Sequence, residues 1–317
     1  MSGDEFSASD VLEKYSLLLK EMKKFVIGYD EIIEKIVIAL LSNGHVLLEG
    51  VPGIGKTFLI NTLSKALGCD FKRVQFTPDL LPADIIGTTV YNTKDSRFYL
   101  RKGPIFTNIL LADEINRAPP KTQAALLEAM QERQVSIEGT SYKLEKPFMV
   151  LATQNPIEME GTYPLPEAQV DRFMFKLLLG YVSKEDEIKM LETKLSGEIP
   201  KVEKILSKEM LLVLQKKTKE VFISRDLIDY IVEIVSSTRR REEVLLGASP
   251  RACIALLDGS RSKALLDGRD FVIPDDIKSL AFDALRHRIL LKPEHELEGV
   301  KAEDVIQEIL DEVPVPK

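Results

Sequence analysis

One stretch constrains this chain more than any other. Gly50-Val51-Pro52-Gly53-Ile54-Gly55-Lys56-Thr57 satisfies every fixed position of the spacing G-x-x-x-x-G-K-[ST]. Its flanks agree: His45 to Glu49 is a short apolar run that reads as a strand, and Lys56 to Leu67 has helical periodicity. Strand, glycine turn and helix open a parallel α/β unit. The residue types follow from phosphate chemistry. Glycines let successive backbone N–H groups converge on anionic oxygens without Cβ atoms in the way. The helix start adds the positive end of its dipole. Lys56 is then expected to reach the β- and γ-phosphates and Thr57 to ligate Mg²⁺. Gly50, Pro52, Gly53, Ile54, Gly55 and Phe58 complete the expected nucleotide contacts.

A second signal supplies the other half of such a site. Asn108 to Ala112 is an apolar strand that ends in Asp113 and Glu114. Asp113 suits the metal's water shell, and Glu114 suits a base that orients and activates an attacking water. Thr153-Gln154-Asn155-Pro156 ends another strand-like run, and parallel strands emerge at one edge, so Asn155 is expected near the nucleotide. An Asn-Pro turn is the plainer reading of the same residues. Arg172 precedes a further strand and could pair with Asp171 or Glu167. In Ser249-Pro250-Arg251, Ser249 suits a helix N-cap and Pro250 the first helical position. Arg251 then opposes the helix dipole, which suggests an anionic partner as readily as a tolerated surface cation.

The rest of the chain divides in two. Helical patterns cover about Ser9 to Phe25 and Asp30 to Leu41. Strand-like runs follow at Phe71–Phe76, Asn108–Ala112, Phe148–Thr153 and Phe173–Leu179. Two hairpins are expected, Thr88–Arg101 and Gln134–Leu144. From Lys184 to Leu310 nearly every segment has helical periodicity, with breaks near Gly197–Pro200, Gly247–Pro250, Gly268–Pro274 and Leu291–Pro293. A boundary near Val182 therefore separates an α/β unit, 1–182, from a helical unit, 183–317. For 317 residues, about two domains is the ordinary expectation.

Composition narrows the function classes. Lys and Arg total 43 against 50 Asp and Glu, a net charge of -7 that argues against a general grip on a nucleic-acid backbone. Cys69 and Cys253 lie far apart with no metal-ligand spacing, and the three histidines are scattered. Runs such as Ile36–Leu41 are too short to cross a bilayer, and the acidic start lacks an apolar leader. A cytoplasmic protein without membrane insertion is expected.

Taken together these residues resemble an AAA+ ATPase, and three longer segments resemble the MoxR family within it. They are Leu110 to Lys121 continuing to Glu132, Ala152 to Glu158, and Gly161 to Phe173. The resemblance covers nearly the whole chain. It implies an αβα sandwich around a parallel sheet, with a C-terminal all-α lid. It implies ATP and Mg²⁺ as cofactors and Asn155 as the sensor-1 residue. Arg251 matches the sensor-2 arginine, taken to act on its own subunit's nucleotide, although a displaced lid could present it to a neighbour. Arg172 matches an arginine finger that reaches a neighbouring subunit. Ile27 and Gly28 match the segment beside adenine, and the hairpins match the helix-2 insert and the pre-sensor-1 hairpin. The family's behaviour implies a ring, usually a hexamer, that remodels protein or metalloenzyme clients. Partners carrying a von Willebrand factor A domain are common. The alternative is a nucleic-acid motor, since related rings translocate DNA. Lys94, Arg97, Arg101 and Lys102 make the first hairpin locally cationic, with Tyr91, Phe98 and Tyr99 among them.

Overall fold

In chain order the strands are β1 (Val46–Gly50), β2 (Phe71–Gln75), β3 (Gly87–Asn92), β4 (Arg97–Lys102) and β5 (Ile109–Asp113). They continue with β6 (Gln134–Ile137), β7 (Thr140–Lys143), β8 (Met149–Gln154) and β9 (Phe175–Leu179). The computed structural model describes residues 7–51, 53–155, 162–195 and 201–316. Pro52, the segment from Pro156 to Gly161 and the whole of the break at Gly197–Pro200 lie outside the described residues.

Five strands pair in parallel in the order β2-β5-β8-β1-β9. Their side chains alternate between two buried faces, as the period of two requires. Val46, Leu48, Ile109, Leu111, Met149 and Leu151 enter one cluster. Leu47, Leu110, Ala112, Val150 and Ala152 enter the other. Burial on both faces is why these strands read as continuous apolar runs.

The first face is covered by helices Ala8–Met22, Asp30–Leu41 and Lys56–Ala66, through Leu18, Ile33, Ile36, Leu59 and Leu63 among others. The second face is covered by helix Pro120–Glu132 through Leu126, Leu127 and Met130. The helical C-terminal part adds helices Arg225–Ser237, Pro250–Leu266, Pro274–Leu285 and Ala302–Glu312. Leu256, Leu280, Ile306 and Ile309 join the same buried cluster as the N-terminal helices. Apolar packing therefore runs across the boundary expected near Val182, because helix Pro250–Leu266 packs on the first two helices and helix Pro274–Leu285 packs directly on β9.

Both expected hairpins are present. Strands β3 and β4 pair antiparallel from Gly87↔Lys102 to Asn92↔Arg97, and β6 pairs with β7 from Gln134↔Lys143 to Ile137↔Thr140. At the base of the first, Gly103 packs against the main chain of the preceding turn. A Cβ there would lie 2.2 Å from the Ile85 carbonyl oxygen and 2.5 Å from the Gly87 nitrogen. Gly103→Ala is expected to cost about 1–3 kcal/mol of stability, since backbone must move to admit the methyl. Denaturant unfolding checks this, and an unchanged midpoint would mean that the hairpin base is wider than described. A two-strand pair in the lid, β10 (Val244–Leu246) with β11 (Leu290–Leu291), has no counterpart in the sequence reading. Segments of two and three residues carry no period to detect.

Candidate functional site

Because the sheet is parallel, Gly50, Asp113 and Gln154 all lie at the C-terminal edge of their strands. There they border a cleft of about 450 Å³ lined by Gly53, Gly55, Lys56, Thr57, Asp113 and Asn155, with Phe58, Arg73, Glu114, Thr153 and Gln154. Gly53 (φ 85°) and Gly55 (φ 81°) are in the left-handed region that favours glycine, and their missing side chains face open space. Gly50 has a different reason. A Cβ there would meet the Leu179 carbonyl oxygen at 2.5 Å, so Gly50 lets β1 approach β9. Ile54 packs partly into the core, Phe58 is half exposed at the rim, and Pro52 is outside the described residues.

Lys56 Nζ donates to the Gly50 carbonyl oxygen at 2.6 Å, so its amine already lies under the loop. Burial pulls its pKa below the ordinary lysine value, opposed by the carboxylates of Asp113, Glu114 and Glu49. Phosphate charge in the cleft would strengthen that opposition and favour the ammonium form.

The two acids are held by residues that the sequence reading did not select. Asp113 Oδ1 accepts from Thr153 Oγ1 at 2.6 Å, and Oδ2 accepts from Arg73 Nη2 at 2.7 Å and Nε at 2.9 Å. Glu114 Oε2 accepts from Gln75 Nε2 at 2.6 Å and from Arg117 Nη1 at 2.9 Å. The Glu114 backbone has φ 57°, and its N–H donates to Thr153 Oγ1 at 2.8 Å. A left-handed glutamate costs about 1 kcal/mol or more and persists only where the surroundings enforce it. Thr153 enforces it from the neighbouring strand, turning Glu114 out of β5 and into the cleft. Asn155 is buried at the end of β8 and lines the same space.

Among the described residues no group of three His, Cys, Asp or Glu side chains is placed to hold a metal ion. Thr57 and Asp113 nevertheless offer hard oxygen donors beside the glycine loop. That donor set suits a cation such as Mg²⁺ that takes its remaining ligands from water and phosphate rather than from a protein cage.

The expected arginines are elsewhere. Arg172 and Arg251 line a small cleft with His45, Met130 and Gln131. His45 precedes Val46, so this cleft is at the N-terminal edge of the sheet. Along β1 that edge is roughly 16 Å from the phosphate loop at about 3.3 Å per residue. Arg251 was expected to lie over its own chain's nucleotide, and in this chain it does not. Its helix, Pro250–Leu266, starts beside the segment before β9, where Arg251 Nη1 donates to Asp171 Oδ2 at 3.3 Å. The anticipated capping is present, with Arg251 N donating to Ser249 Oγ at 3.1 Å. Arg172 Nε is buried without a hydrogen-bond partner among the described residues. Ile27 and Gly28 do not line the phosphate cleft. Gly28 (φ 83°) packs on Val182 just after β9, where a Cβ would lie 2.7 Å from Val182 Cγ1.

Known proteins resemble this chain in sequence and in fold. A model of the ATPase family associated with various cellular activities (AAA) matches residues 45–175, and an AAA lid domain model matches residues 236–309. Uncharacterized protein YeaC of Bacillus subtilis is 50% identical over 299 residues, covering 94% of this chain and 93% of its own. Chaperone MoxR1 of Mycobacterium tuberculosis is 46% identical over 306 residues, covering 94% of this chain and 81% of its own. A crystal structure from Cytophaga hutchinsonii, 45% identical, superposes with a TM-score of 0.91 and covers 98% of this chain and 97% of that one.

Proposed function

The chain belongs to the MoxR family of AAA+ ATPases, and from that premise we propose that its working unit is a head-to-tail ring in which one subunit's arginines complete the next subunit's nucleotide site. One observation carries the reading: the phosphate cleft and the pair Arg172 and Arg251 open at opposite edges of one sheet. A cleft that keeps its finger at the far edge is half a site, and a heterologous contact that repeats around a closed ring joins the halves. Arg251, first assigned to its own subunit, is then supplied with Arg172 in trans.

In this reading ATP binds with its phosphates on the amides of Gly53 and Gly55, and Lys56 turns from the Gly50 carbonyl to the β- and γ-oxygens. Thr57 and Asp113 would hold Mg²⁺, which when bound would neutralise phosphate charge. Glu114 accepts the proton of the attacking water, and Asn155 helps to orient that water. The two arginines meet the charge that builds on the transferred phosphoryl group. Turnover drives chaperone-like remodelling of protein clients, metalloenzymes among them, and a hexamer with a partner carrying a von Willebrand factor A domain fits the family. The name of the mycobacterial relative, a chaperone, supports the remodelling role.

A nucleic-acid motor has less support. On the cationic hairpin the Tyr99 hydroxyl donates to Asp95, and Lys102 Nζ lies 5.1 Å over the Phe106 ring. Those groups are engaged within the chain, and the net charge is -7. Among the described residues no helix is long and apolar enough to cross a membrane.

The test is concentration. ATPase activity per subunit is expected to rise as protein concentration passes through the assembly range, in step with the mass seen by light scattering. Constant activity from monomer to ring would overturn the shared site.

A further inference from the structure

We infer that Arg288, a lid residue, is a positioning residue for hydrolysis, holding in place the segment that carries Arg172 and, through Asp171, holding Arg251 beside it. The inference rests on the reading in which those two arginines complete a neighbour's site.

Arg288 follows helix Pro274–Leu285 and is only 8% exposed. Its guanidinium spreads over the chain entering β9. Nε donates to Asp171 Oδ1 at 2.8 Å, and Nη2 donates to the carbonyl oxygens of Asp171 at 3.1 Å and Phe173 at 2.7 Å. Nη1 donates to the Met174 carbonyl oxygen at 3.1 Å. His287 Nε2 lies 3.1 Å from the Phe173 carbonyl oxygen, and burial keeps this imidazole neutral. One lid corner thus grips the main chain on both sides of Arg172, while the Arg172 side chain remains outside the grip.

The other half of the arrangement is Asp171. Besides Arg288, its carboxylate accepts from Ser249 Oγ at 2.9 Å and from Arg251 Nη1 at 3.3 Å. Three arginines in one place repel, and a single carboxylate between two of them lowers that cost. Asp171 therefore sets the spacing between Arg172 on the sheet side and Arg251 on the lid side. A buried ion pair is often replaceable by apolar packing without loss of stability, so stability alone is a poor account of Arg288. Geometry is a better one. A planar fork with five donors can span Asp171, Phe173 and Met174 at once, which a lysine ammonium cannot.

Arg288→Lys keeps the charge and loses the fork. It is expected to lower kcat about tenfold or more, the scale of misplacing a charged transition-state contact. Affinity for a non-hydrolysable ATP analogue, by calorimetry, should stay within about twofold, because the phosphate cleft is at the other edge. The deciding readout is subunit mixing. Arg288→Lys subunits keep a working cleft, and Glu114→Gln subunits keep a working arginine pair. Mixed rings should therefore hydrolyse ATP faster than either variant alone, an outcome that a merely structural defect would not give. Arg172→Ala mixed with Glu114→Gln is the control. If that pair shows no recovery, the shared-site reading fails. If it recovers but the Arg288→Lys pair does not, or if Arg288→Lys turns over at the wild-type rate, the role of Arg288 is overturned. Should Arg288→Lys fail to assemble, Asp171→Asn attacks the same contact from the other side. The same loss and the same recovery are then expected, and their absence counts equally against the inference.

Discussion

Glu114→Gln is expected to leave the protein able to bind ATP and nearly unable to split it, with kcat lower by about a hundredfold or more. The substitution is close to isosteric and should not disturb the backbone. The left-handed turn at Glu114 is held by its own N–H on Thr153 Oγ1, a bond that the side chain does not make. The amide oxygen can still accept from Gln75 and Arg117, which now share Oε2. What is lost is basicity, since an amide cannot take a proton from water at neutral pH. Affinity should hold or tighten, because one negative charge leaves the cleft proposed to take the γ-phosphate. Single-turnover hydrolysis with labelled ATP, beside calorimetry for binding, separates the two effects. Hydrolysis within about threefold of wild type would move the base to another residue.

How much of this site could be read from the sequence depends on whether its contacts are local along the chain. The glycine loop and Lys56 are contiguous, so spacing alone places them in the cleft. Asp113 and Glu114 end an apolar run, and Asn155 ends another, so the shared edge of a parallel sheet brings all three to the loop. Arg73, Gln75 and Thr153 were missed for the opposite reason. Arg73 meets Asp113 only because β2 lies beside β5 although the hairpin β3–β4 intervenes in sequence, and nothing near Arg73 signals that neighbour. Within β2 the run Phe71-Lys72-Arg73-Val74-Gln75 sets two cations side by side, which breaks any alternation that would have marked a face. Arg288 was hidden in a helical region rich in ordinary surface cations, where burial is a tertiary fact. Gly50 shows a motif position that satisfies two demands, since its close approach to Leu179 lies outside the phosphate argument. The direction of Arg251 shows what a motif leaves out. Ser249 and Pro250 specify a helix start locally, but which edge of the sheet that start faces is decided by how the lid packs on the first two helices.

That packing gives Arg172→Ala its expected signature, a loss of turnover without a loss of binding. Removing an arginine finger lowers kcat about a thousandfold where the residue meets transition-state charge. Within one chain Arg172 is at the edge that holds His45 and Met130, away from the glycine loop, so truncating it leaves Lys56 and Thr57 in place. Nucleotide affinity should therefore stay within about twofold, and assembly should persist, since the lost side chain leaves Asp171 bonded to Ser249 and Arg288. The variant should also lose the rise in specific activity with concentration, because assembly would then bring each cleft a neighbour without its finger. Arg251→Ala is the companion case, and because it shares that edge its defect should appear in the same kinetic term. A variant that hydrolysed ATP at the wild-type rate in assembled rings would remove Arg172 from the mechanism. One that lost affinity and turnover together would return it to its own subunit's site, against the separation that the sheet imposes.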